Sequence, residues 1–104
     1  LVVQAGAGVS TITPPLGTSL CGLFEDRPAR TVADDLHVRA LVLDDGSNRI
    51  ALVLCDLICL GSEAVNAAKD RIATRSGIPA SHVMISCTHT HTGPATVPLF
   101  ATEP

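Results

Sequence analysis

Two histidines one residue apart, His89 and His91, sit in the run Cys87-Thr88-His89-Thr90-His91-Thr92-Gly93-Pro94. A neutral imidazole offers one nitrogen lone pair and is a common ligand for zinc and related ions. On an extended backbone alternate side chains project to the same side. The spacing therefore predicts that both rings converge on one ion or one substrate atom. Threonines at 88, 90 and 92 add hydroxyls that can orient what binds, and Gly93-Pro94 ends the extended run. Asp56 closes the apolar stretch from Arg49. A carboxylate there can accept a hydrogen bond from the distal ring nitrogen of a ligating histidine. The same carboxylate could instead cap the loop or helix that follows.

The remaining reactive side chains read as structural. Cys21, Cys55, Cys59 and Cys87 match neither paired zinc-knuckle cysteines nor a redox Cys-x-x-Cys. Cys55 and Cys59 lie in or beside an apolar run and read as buried thiols, and Cys87 as a packed residue at a strand end. His37 reads as a polar residue on a half-exposed strand face and His82 as a surface residue. Arg27 and Arg30 read as solvated charges in an irregular loop.

These side chains need a scaffold, and hydrophobic periodicity outlines one. Residues 1–12, rich in Val, Ala and Gly, predict a strand that Pro14-Pro15 ends by removing ladder donors. Residues 18–35 are irregular, as segments bordering a site often are. Residues 36–44 and 49–56 predict two strands joined antiparallel by Asp45-Gly46-Ser47-Asn48, whose Asp-Gly pair tolerates a positive φ. The second is apolar on both faces and belongs in the middle of a sheet. Ser62 predicts the N-cap of a helix running to about Arg75, with Val65, Ala68 and Ile72 as its apolar stripe. Gly77 and Pro79 close the helix, and residues 82–86 predict a further strand. The fold class is therefore α/β, a mixed β-sheet with an antiparallel hairpin and a βαβ unit, in a single domain over 1–104. The strand–helix–strand crossover makes its two strands parallel neighbours. Asp56 and His89 then emerge at the same sheet edge, where open α/β sheets place ligands.

Composition narrows the function. With seven basic against ten acidic residues, two phenylalanines and no Trp or Tyr, the chain lacks the basic stripe and stacking aromatics of a nucleic-acid binder. No apolar run is long enough for a transmembrane span, since Asp56 interrupts the longest. No leader pattern is visible, and the first residue is Leu1. The compartment stays open between cytoplasmic and secreted after signal removal, and the chain reads as a fragment or a processed piece.

Several stretches together resemble the N-terminal domain of the neutral/alkaline, non-lysosomal ceramidase family. They are Ala5-Gly6-Ala7-Gly8-Val9-Ser10 leading into Thr11-Ile12-Thr13-Pro14-Pro15, then Gly22, then Val38-Arg39-Ala40-Leu41-Val42-Leu43 and the strand ending at Asp56. The sharpest is Thr88-His89-Thr90-His91-Thr92-Gly93-Pro94, in which Thr92 stands where the family usually carries Ser. The resemblance implies a zinc amidase that cleaves the N-acyl bond of ceramide or of another small-molecule or lipid amide. It implies that His89 is a zinc ligand and that His91 contacts the substrate near the scissile carbonyl. The family's other ligands (a His, a Glu and a Tyr) lie far downstream, so the remaining C-terminal part of the parent chain or a partner subunit must complete the site. Alone, these 104 residues are expected to bind zinc weakly and not to turn over substrate. The residues by themselves leave two other readings open: another His-x-His metallohydrolase, or a non-catalytic α/β binding or assembly domain.

Overall fold

The computed structural model describes residues 2–99 and 102–104. Four strands form one sheet in the order β1-β2-β3-β4: Gln4–Thr11, His37–Asp44, Arg49–Cys55 and Val83–Cys87. β2 pairs antiparallel with both β1 and β3, and β4 lies parallel to β3. Helix α1, Ser62–Ser76, makes the crossover between the parallel pair, so the mixed sheet, the hairpin and the βαβ unit all stand as expected. The N-terminal strand is also present, although Leu1 lies outside the described residues.

Local chemistry explains the boundaries. In the β2–β3 hairpin Gly46 takes φ 91°. The Asp45 carboxylate accepts the N–H groups of Ser47 and Asn48 at 2.9 and 2.7 Å, and Asp44 accepts that of Gly46 at 2.8 Å. Two details differ from expectation. Gly61, not Ser62, is the N-cap of α1, and no side chain caps it. Val65 donates to the Gly61 carbonyl at 3.1 Å, which draws Ser62 into the first turn. His82 ends a short 3-10 turn, Ala80–His82, and β4 starts one residue later. Gly77 closes α1 in the left-handed conformation, as its position predicts.

The core lies between the sheet and the helix side. Ala51, Ile78 and Val83 are its buried centre, with Val42, Val53, Ile72 and Ile85 against them. The helix covers this face incompletely: no residue of α1 is fully buried, and Ala68, expected in its apolar stripe, is exposed. Among the described residues no second layer covers the opposite face. Register places Leu41, Leu52 and Met84 in one row and Leu43 beside Ile50 in the next, and Leu41, Ile50 and Met84 are exposed. Sheets with parallel pairs usually have both faces covered. No described helix is long and apolar enough to cross a membrane.

Candidate functional site

The site grows from the carboxyl ends of β3 and β4. Past β4, Thr88 donates its N–H to the Cys55 carbonyl at 2.9 Å and His89 to that of Leu57 at 3.0 Å, so the histidine segment stays tied to the end of β3. The chain then turns. His89 has φ 62°, the one described non-glycine residue with a positive φ. The run from Thr88 to His91 is therefore not extended, contrary to the expectation from sequence. The two rings nevertheless meet: their centroids lie 5.1 Å apart with planes at 77°, edge to face. A left-handed residue, not strand alternation, brings them together. Both histidines are exposed.

Hydrogen bonds fix the His89 ring. Its Nδ1 lies 2.9 Å from the Ile58 carbonyl. A carbonyl only accepts, so Nδ1 carries the proton and Nε2 keeps its lone pair. This is the usual arrangement behind a metal-binding imidazole. Sequence reasoning assigned the orienting role to Asp56; the structure gives that bond to a backbone oxygen two residues further on.

Asp56 is engaged elsewhere. Its Oδ2 accepts the His37 N–H at 2.9 Å and Arg39 Nη1 at 3.2 Å. The His37 N–H, and after it the Arg39 guanidinium and the Thr88 hydroxyl, hold this carboxyl below the usual carboxylate range. Its hydrogen bonds go to the start of β2, and it does not touch either ring among the described contacts. Burial pushes the Cys55 and Cys87 thiols up, which favours their protonated, unreactive forms. Cys55 is buried and Cys59 half-buried. His37 and His82 lie apart from the pair: His37 Nδ1 meets Arg39, and His82 Nδ1 meets the Arg49 carbonyl.

The irregular segment expected to border a site supplies its second wall, through contacts the sequence did not specify. The irregular segment after β1 folds back on itself, with Leu20 donating to Arg27 at 2.9 Å and Ala29 to Thr18 at 2.8 Å. It then touches the histidine segment. The Gly22 carbonyl lies 3.0 Å from His91 Nδ1, Arg27 Nη2 donates to the His91 carbonyl, and Cys21 donates to Gly93 at 2.9 Å. Arg27 is thus half-buried and committed to backbone, not the solvated charge expected. Gly22, already among the residues that carry the family resemblance, was the available signal.

The donor set was tested for a zinc site. The described residues contain no group of three His, Cys, Asp or Glu side chains that could hold an ion. The histidine pair fits as part of a set: each exposed ring has Nδ1 against a backbone carbonyl, which in the neutral form leaves Nε2 as the acceptor.

No protein-family model and no curated protein matches the chain. Among solved structures, its fold is shared with part of ceramidases. One is the neutral ceramidase from Pseudomonas aeruginosa, with a TM-score of 0.77 and 24% identity over 89% of this chain and 16% of that one. Another is a ceramidase complexed with C2, with a TM-score of 0.73 and 24% identity over 89% of this chain and 15% of that one. At this identity the likeness establishes the fold, and it agrees with the resemblance seen in the sequence. The chain spans about one sixth of the length of the ceramidases it matches.

Proposed function

We propose that this chain is one portion of a zinc-dependent amide hydrolase of the neutral ceramidase kind, acting on the N-acyl bond of ceramide or a related amide. The observation that carries the reading is the juxtaposition of the His89 and His91 rings at the carboxyl ends of a parallel strand pair, on a fold shared with ceramidases. In this reading His89 holds the metal through Nε2, and the other donors come from polypeptide outside these residues or from a partner subunit. When bound, zinc would lower the pKa of a water and polarise the amide oxygen. His91 contacts the substrate beside the scissile carbonyl. Asp56 acts as a positioning residue, tying the end of β3 to His37 and Arg39 of β2 beside the histidine segment.

The test is hydrolysis of a fluorescent short-chain ceramide by a polypeptide that carries these residues together with their continuation. Fatty acid release should need zinc, stop on chelation and be lost in His89→Ala. Hydrolysis that ignores both chelator and that substitution, or no hydrolysis of any N-acyl amide by zinc-loaded protein, overturns the proposal. The 104 residues alone should show no turnover.

A further inference from the structure

We infer that the loop over residues 17–29 is a positioning device for His91, with Gly22 fixing the ring's tautomer and direction and Arg27 fixing its backbone. The inference deepens the hydrolase reading, since it concerns the imidazole assigned there to the substrate.

His91 Nδ1 lies 3.0 Å from the Gly22 carbonyl, which can only accept. In the neutral ring Nδ1 therefore bears the proton, and Nε2 is left as an acceptor. A free imidazole exchanges readily between its two neutral tautomers, so an exposed histidine such as this one needs a fixed partner to hold one of them. Gly22 supplies that partner from a distant part of the sequence. It does so at φ 116°, a conformation that L side chains rarely adopt. A Cβ at Gly22 would stand 2.6 Å from His91 Nδ1 and 2.7 Å from its Cγ. No side chain can occupy that space while the ring stays where it is. Glycine is required twice, by its backbone angle and by close approach.

Three further contacts bind the loop to the same segment. Arg27 Nη2 donates to the His91 carbonyl, Cys21 donates to the Gly93 carbonyl at 2.9 Å, and Leu20 forms an antiparallel bridge with Pro94. Arg27 Nε is enclosed with no hydrogen-bond partner among the described residues, so the side chain gives up solvent at this nitrogen in the arrangement that reaches His91. The loop is itself anchored from below. Cys21 is fully buried, its sulfur 3.7 Å from the hydroxyl oxygen of buried Thr102, which donates to the Leu99 carbonyl at 2.7 Å. The ring of His91 is thus clamped between its own backbone, held by Arg27, and the Gly22 carbonyl.

The test reads nitrogen resonances of the histidine rings in the metal-free protein. In the unmodified chain His91 should show a protonated Nδ1 and an unprotonated Nε2, with the Nδ1 proton slow to exchange. Gly22→Ala should shift His91 toward a mixture of tautomers and speed that exchange, with His37 and His82 unchanged. Arg27→Met should loosen the same ring, and Arg30→Ala should leave it alone. In the hydrolysis assay, a misplaced reacting group should lower kcat/KM by on the order of 100-fold in Gly22→Ala. A protonated Nε2 in the unmodified protein overturns the inference, as does a His91 signature untouched in both variants. If Gly22→Ala does not fold, the unmodified protein and Arg27→Met decide. If the tautomer behaves as stated but no amide is hydrolysed, the clamp stands and the hydrolase reading falls.

Discussion

Replacing His89 by glycine should give a more stable protein than replacing it by alanine, the reverse of the usual order. His89 sits at φ 62°. For a residue with a Cβ the left-handed region costs roughly 1–2 kcal/mol. Both substitutions lose the Nδ1–H bond to Ile58, worth about 1 kcal/mol, so that loss cancels in the comparison. Glycine is relieved of the left-handed cost but pays about 0.4–1 kcal/mol through the greater freedom of its unfolded chain. At the midpoints of these ranges the difference is roughly 0.8 kcal/mol in favour of His89→Gly. For a domain of this size each kcal/mol moves Tm by about 4–8 °C, so the glycine variant should melt about 3–6 °C above the alanine variant. Thermal and urea unfolding of the two proteins measures this directly. An alanine variant as stable as the glycine variant, or more so, would mean that His89 is not left-handed, and the route by which the rings meet would be wrong. Both variants should lose any zinc-dependent property equally, since neither keeps the imidazole.

Adjacent residues of β4 should respond oppositely to truncation. Val83 is 4% exposed on the helix side and Met84 58% exposed on the open face, so Val83→Ala should cost about 2 kcal/mol and Met84→Ala less than about 0.5 by urea unfolding; equal costs would contradict the one-sided core. Asp56 should steepen acid destabilisation. Its folded pKa lies below the unfolded one near 4, so its contribution is present above about pH 4 and lost as pH falls through the lower folded value. Asp56→Asn should then lose stability less steeply than the unmodified protein below pH 4, and parallel curves would refute its pairing with His37 and Arg39.

The sheet was legible because β2 and β3 are long apolar runs flanking an Asp-Gly turn, and because Gly77 and Pro79 mark the end of a helix of crossover length. Its parallel pair followed from connection length alone. The helix start was off by one residue because glycine can serve as an N-cap without a side chain. The histidine pair was legible as a pair, but its geometry was not. A period of two assumes extended backbone, and nothing in Thr-His-Thr-His announces a left-handed histidine. The partners of the two rings are backbone carbonyls, Ile58 and Gly22, and a carbonyl carries no sequence signature. Arg27 was read as solvated because its target, the His91 carbonyl, lies 64 residues away.

The proposed function depends on His89 offering Nε2 to a metal while Ile58 holds Nδ1. Zinc titration of the protein labelled with ¹⁵N in its histidines tests this atom by atom. The account predicts that zinc, even if weakly bound, moves the His89 Nε2 resonance, keeps its Nδ1 protonated and leaves His37 and His82 where they were. Zinc that passes over His89, or that displaces the proton from its Nδ1, would contradict it.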